Sequence, residues 1–154
     1  MALEIERRFL VISDAWQSSV NSRYPIIQAY LAQNEQVNVR VRMIEAKAWL
    51  CVKSAGAGRS RQEFEYPIPA ADARELIARS PTRAIEKWRH EVIHEGHLWE
   101  VDVFEGANTG LIVTEIELED PAEAFVLPVW AGLEVTEDRK YSNASLALHP
   151  YSTW

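Results

Sequence analysis

With 154 residues, 16 Lys and Arg against 23 Asp and Glu, and a formal net charge of -7, the chain has the size of one domain with a sizeable core and the wrong sign for non-specific adhesion to nucleic acid or anionic membrane. Its single cysteine, Cys51, excludes an internal disulfide and reads as a buried thiol. Glu4, Glu6, Arg7 and Arg8 stand where a signal peptide would need an apolar run, and no segment approaches membrane-spanning length, so a cytoplasmic protein is expected.

In chain order, residues 3–12 read as a first strand ending at Ser13-Asp14, a capping pair that opens a short helix over 15–20. Pro25 starts a second strand through Leu31. Alternation and β-branching mark a third over 37–44, and a fourth covers 48–53. The Gly56-Ala57-Gly58 loop leads Arg59 and Arg61 into a fifth strand ended by Pro67 and Pro69. The Ala-, Glu- and Leu-rich stretch 70–79 predicts a helix stopped before Pro81. A hairpin of 85–94 and 98–104 around Glu95-Gly96 follows, then a turn at 106–110 and an eighth strand over 111–119. Asp120-Pro121 reads as the start of a short helix, 132–136 as a brief extended piece and 140–148 as a terminal helix.

On an extended strand, residues two apart share a face. Glu4, Glu6 and Arg8 therefore align, as do Arg40/Arg42, Glu63/Glu65, Lys87/Arg89 and Glu115/Glu117, each pair separated by a bulky residue. One such pair is ordinarily the wet side of a half-buried sheet. Here whole strands carry one sign: Arg40, Arg42, Lys53, Lys87 and Arg89 are basic, while Glu63, Glu65, Asp102, Glu115 and Glu117 are acidic. Ordinary surfaces intersperse signs. Eight antiparallel strands closed into a barrel are wide enough for one small ligand and would turn these faces onto a common axis, leaving the apolar faces outside to be covered by helices. Crowded carboxylates in such a lumen call for divalent cations of the magnesium or manganese type, and clustered guanidinium and ammonium groups suit a ligand with several adjacent phosphates.

The ordered series Glu4-x-Glu6-x-Arg8, Gln28-Ala29-Tyr30-Leu31, Arg40-Val41-Arg42, Lys53, Glu63-Phe64-Glu65, Lys87-Trp88-Arg89, WEVDVFEG at 99–106, TEIELE at 114–119 and RKYSNASLA at 139–147 resembles the CYTH superfamily, the triphosphate tunnel metalloenzymes, across nearly the whole chain. The resemblance implies an α+β, mainly antiparallel single domain, an eight-stranded closed tunnel barrel with short flanking helices. It also implies a metal-dependent triphosphatase acting on inorganic triphosphate or an organic triphosphate. A class IV-type adenylyl cyclase and a nonenzymatic polyphosphate-binding module are the alternatives. By the same resemblance Glu4, Glu6, Glu115 and Glu117, assisted by Glu63, Glu65 and Asp102, hold two Mg2+ or Mn2+ ions. Glu63, Glu65, Glu117 and Lys140 are the catalytic candidates, and Arg8, Arg40, Arg42, Lys53, Lys87, Arg89 and Lys140 grip phosphate. The implied partner is a triphosphate-bearing small molecule rather than double-stranded nucleic acid or a membrane, with a homodimer left open. Arg8 stands where the family signature has lysine; it keeps the charge but transfers protons poorly.

One competing signal is His90-Glu91-Val92-Ile93-His94, the H-E-x-x-H pattern of zinc peptidases. That motif needs a helix, where the two histidines lie ~6 Å apart; on a strand they are separated by roughly 13 Å. The flanking Lys87/Arg89 alternation and the Gly96 turn favour a strand. Gly56-Ala57-Gly58 lacks the ending of a P-loop, and the Trp and Tyr residues read as packing, with Tyr30 approaching the tunnel.

Overall fold

The computed structural model describes residues 3–54 and 60–154; the Gly56-Ala57-Gly58 loop and Arg59 lie outside the described residues. Among the described residues nine strands form one antiparallel sheet: β1 (Leu3–Val11), β2 (Val20–Gln33), β3 (Val37–Ile44), β4 (Lys47–Ser54), β5 (Ser60–Ile68), β6 (Ile85–His94), β7 (His97–Phe104), β8 (Ile112–Glu117) and β9 (Ala131–Glu134). Their spatial order is β5-β4-β3-β2-β6-β7-β8-β1-β9, and a further β5–β1 pairing closes eight of them into a barrel. Closure runs through Leu3, Glu4 and Ile5 of β1 opposite Gln62, Arg61 and Ser60. Farther along the same edge of β1, Phe9 and Val11 pair instead with β9.

Local chemistry accounts for the turns. Glu95 and Gly96, both at positive φ (48° and 80°), make the two-residue turn joining β6 to β7, the geometry that matches strand twist. Proline is the place where expectation and structure part. Pro25 does not start β2, which begins five residues earlier at Val20, and Pro67 does not end β5. Pro25 pairs only with β6, since β3 joins β2 from Ile27 onward, and Pro67 pairs only with β4. A missing N–H is tolerated where a strand has one neighbour.

The apolar faces point outward, as the parity implied, and most of them are covered, although Phe64 and Tyr66 of β5 stay exposed. Helix α1 (Ala70–Ala78) packs on β2, β3 and β4, burying Ala73 against Val41, Met43 and Ala48. On the opposite side Trp16, from a 3-10 turn at Ala15–Ser19, joins Phe9, Trp99, Leu118 and Trp130. Trp99 meets Phe9, Phe125 and Trp130 at ring separations of 5.7, 5.7 and 6.0 Å. The segment carrying this cover is not the helix expected at Asp120-Pro121: the Asp120 side chain accepts from Ala122 N and Glu123 Oε1 accepts from Glu119 N, so a turn forms and the chain runs on irregularly to Pro128. The terminal helix is also shorter than expected. Ser142 adopts an extended backbone and its Oγ accepts from Ser145 N, splitting a 3-10 turn at Arg139–Tyr141 from α2 (Asn143–Leu148).

Inside the barrel, charge gives way to bulk at one end. Tyr30, Ile85, Phe104 and Val113, on the same strand faces as the charged residues, pack with Leu146 and Ala147 of α2, which fills that end. His90 and His94 lie on β6, a strand. His90 packs outside the barrel against Trp16, its Nδ1 3.2 Å from Val101 O. Cys51 is a free, buried thiol. Among the described residues no helix is long and apolar enough to cross a membrane.

Candidate active site

Strand parity and strand order together build one cavity of about 230 Å³. The alternation that puts Glu4, Glu6 and Arg8 on one face of β1 turns all three inward, Glu6 and Arg8 opposite Glu117 and Glu115 of β8 and Glu4 opposite Arg61 of β5. Sheet order then sorts charge around the barrel axis. Strands β7, β8, β1 and β5 are contiguous and bring Glu100, Glu115, Glu117, Glu4, Glu6, Glu63 and Glu65 to the lumen; β4, β3, β2 and β6 are also contiguous and bring Lys53, Arg40, Arg42, Lys87 and Arg89. Arg8 and Arg61 sit within the acidic side. Among the described residues seven carboxylates and seven cations therefore line the cavity, a formally neutral lumen.

The basic wall is braced. Lys87 Nζ donates to Asp102 Oδ2 at 2.7 Å and to Asn143 Oδ1 at 3.0 Å. Arg89 donates through Nε to Asp102 Oδ1 (2.8 Å) and through Nη2 to Asp102 Oδ2 (2.9 Å). Arg42 Nε donates to Gln28 Oε1 at 3.3 Å. Burial pulls Lys87 down to about 8, against the pull of Asp102, while the same two cations hold Asp102 below its ordinary value despite its burial.

The acidic wall is crowded. Burial, together with a hydrogen bond to Glu63 and the charge of Glu6, pushes Glu4 up to about 9, although Lys53 Nζ lies 2.8 Å from its Oε1. Burial also opposes ionisation of Glu63, but hydrogen bonds from Glu4 and Glu65, with Lys53 and Arg40, hold it well below the usual range. The pair thus shares one proton. Glu65 and Glu117 are both raised, by burial and then by neighbouring carboxylates, and Glu100 is pushed up to about 7 by burial with Asp102 and Glu115 nearby. Glu6 is held low, despite burial, by its hydrogen bond with Glu115 and by Lys53, Arg8 and Arg61.

Twelve residues expected at the site from sequence do meet here: Glu4, Glu6, Arg8, Arg40, Arg42, Lys53, Glu63, Glu65, Lys87, Arg89, Glu115 and Glu117. Two do not line the cavity. Asp102 is 0% exposed and lies behind the wall, both oxygens taken by Lys87 and Arg89. Lys140 stands outside, its Nζ 4.6 Å from the Trp154 ring centre and 5.2 Å from that of Tyr141. Conversely Arg61, Glu100, Asn38 and Asn143 line the cavity without having been singled out. The first three were visible as spacing-two neighbours of Glu63, Asp102 and Arg40; Asn143, on a helix, has no such signal.

A closed antiparallel barrel with one acidic and one basic inner wall defines a class of protein: a tunnel that takes a polyanion together with cations. The chain belongs to the CYTH domain family, whose model matches residues 2–151. It is 40% identical to an inorganic triphosphatase of Acetivibrio thermocellus over 100% of this chain and 99% of that one. With an inorganic triphosphatase of Nitrosomonas europaea it shares 38% identity over 94% of this chain and 97% of the other. A crystal structure of an inorganic triphosphatase superposes with a TM-score of 0.68 at 34% identity, covering 96% of both chains.

Proposed function

We propose that this chain is a divalent-metal-dependent triphosphatase whose preferred substrate is inorganic triphosphate, with water attacking the terminal phosphorus inside the tunnel and diphosphate leaving as the bridging P–O bond breaks. Full-length similarity to inorganic triphosphatases supports the reaction, and the observation that carries it here is the pair of opposed charged walls. Guanidinium and ammonium donors of Arg40, Arg42, Lys53, Lys87 and Arg89 suit the oxygens of a phosphate chain. Because seven carboxylates formally balance seven cations, a triphosphate brings several uncompensated negative charges, which entering cations would offset and so tighten its hold.

The donor set fits Mg2+ or Mn2+. Its oxygens are hard carboxylate ligands, and buried Glu63 Oε2 has no hydrogen-bond partner, although Lys53 Nζ lies 3.1 Å away. Among the described residues no group of three carboxylates converges as a ready-made metal cage. That suits an ion held by one or two carboxylates and completed by phosphate oxygens and water, the usual habit of magnesium. Glu4, Glu6, Glu115 and Glu117, with Glu63 and Glu65, would hold two such ions. Bound there, the metal supplies charge neutralisation of the phosphate chain and an activated, oriented water. The basic wall binds and aligns the phosphates; the walls and the α2-filled end exclude bulk water.

The test is phosphate release from inorganic triphosphate, thiamine triphosphate, ATP and polyphosphate, with and without Mg2+ or Mn2+. Metal-dependent release, fastest with inorganic triphosphate, is expected. Cyclic AMP formation from ATP would make the chain a cyclase, and binding without turnover a polyphosphate-binding module. Arg40→Ala should raise KM about tenfold, whereas Glu115→Gln should shift the metal requirement. Normal hydrolysis by both variants at matched metal would overturn the site.

A further inference from the structure

Three cations of the basic wall are joined by one continuous run of hydrogen bonds, buried except for the part-buried link to Arg42, and its middle member comes from α2 rather than from the barrel. Asn143 Oδ1 accepts from Lys87 Nζ and from Gln28 Nε2, each at 3.0 Å. Gln28 Oε1 accepts from Arg42 Nε at 3.3 Å. Beyond Lys87, Asp102 takes both Lys87 and Arg89. Gln28 and Asp102 are 0% exposed, Lys87 2% and Asn143 7%.

The direction of this run is fixed by chemistry. Lysine and arginine have donors only, so Asn143 must turn its oxygen, not its amide nitrogen, toward Lys87. Gln28 must then give its nitrogen to Asn143 and its oxygen to Arg42. Neither amide can flip without placing an N–H against a cation. Two of the three Lys87 N–H bonds are thereby committed to fixed acceptors, and the third remains for an anion in the cavity that Lys87 lines. The Ser142 cap, with Oγ accepting from Ser145 N at 3.1 Å, starts α2 at the residue before and sets Asn143 into the lumen.

We infer that Asn143 is a positioning residue for phosphate binding: through Lys87 directly, and through Gln28 to Arg42, it makes α2 part of the anion grip as well as the filling of the barrel's end. This rests on the triphosphatase reading for the identity of the anion, but not for the wiring. A buried donor left without its acceptor is costly, and a hydrogen bond to a charged group is worth more than a neutral one.

The test is a double-mutant cycle on inorganic triphosphate binding by calorimetry with chelator present, paired with steady-state hydrolysis in Mg2+. Asn143→Leu should raise Kd and KM about tenfold with a much smaller change in kcat. In a Lys87→Met background Asn143→Leu should cost about threefold or less, the residue of its action through Arg42. Full additivity with Lys87→Met, or unchanged Kd in a folded Asn143→Leu protein, would overturn the inference. Wild-type protein that binds triphosphate without hydrolysing it would sink the proposed function and leave the cycle decisive; hydrolysis unaltered by Asn143→Leu would do the reverse. Wild-type protein that binds no triphosphate would overturn both.

Discussion

The two walls of the tunnel are built from similar numbers of charges and are in opposite states. On the basic wall the cations Lys87 and Arg89 are tied to Asp102 by hydrogen bonds of 2.7 to 2.9 Å, and Gln28, held by Asn143, braces Arg42. On the acidic wall carboxylates face carboxylates: Glu4 and Glu63 share a proton and Glu65 and Glu117 are raised. One side is a finished grip, organised before an anion arrives, which lowers the ordering cost of binding. The other is held short of cations, and that shortage is what would draw metal in with the substrate.

The comparison breaks most visibly at Asp102. Asp102→Leu leaves Lys87 and Arg89 buried without their common partner, and unfolding in urea with chelator present should show a loss of about 3–5 kcal/mol. A loss within about 1 kcal/mol would mean that the basic wall is not internally braced. On the acidic side the sign reverses. Glu4→Gln removes one of the crowded carboxyls, so the metal-free protein should gain about 1 kcal/mol at pH 8, while the rise in Tm on adding Mg2+ should shrink.

The pH dependence of the chelated protein sharpens the same contrast. Glu4, raised from 4.5 to about 9, and Glu100, raised to about 7, keep protons in the folded state that they lose on unfolding. Stability therefore falls as pH rises through this window, by an amount on the order of 1–2 kcal/mol between pH 5 and 8. Below 4.5 the trend inverts, because Glu6 and Glu63, both depressed, contribute stability that is lost as pH falls. Above pH 8, Lys87, lowered to about 8 from 10.5, opposes the decline. Thermal melts across pH with chelator should peak near pH 5, and saturating Mg2+ should flatten the alkaline side; a flat metal-free profile would contradict the crowding. The smallest effect is expected at Arg8→Lys, with stability changed by less than about 1 kcal/mol and metal-dependent hydrolysis by less than about threefold. Arg8 reaches Glu6 and Glu115 only at 3.3 and 3.6 Å and its buried Nε is unpartnered, so little geometry is lost. Complete inactivation would contradict a phosphate-gripping role.

Most of the site was legible because strand parity is a local property: Glu4/Glu6/Arg8, Arg40/Arg42, Glu63/Glu65, Lys87/Arg89 and Glu115/Glu117 announce a shared face at spacing two, whatever the sheet around them. Asp102 obeys the same parity and faces inward, yet the cavity surface stops short of it, because Lys87 and Arg89 lie over it. Lys140 followed the family-like segment at 139–147, where no parity rule applies; aromatic rings took it instead. Pro25 and Pro67 misled because proline ends a strand only where both edges are paired, and edge occupancy is a tertiary fact.

Alternating charge and bulk on eight segments determined that this chain forms antiparallel strands with one ionic face each, since the two-residue period needs no distant information. Which ionic faces stand side by side, and hence that acid and base form separate walls, was decided only by the strand order β5-β4-β3-β2-β6-β7-β8-β1. The bracing of Lys87 by Asn143, across 56 residues of chain, likewise depends on α2 entering the barrel's end, a packing event that short-range periodicity does not encode.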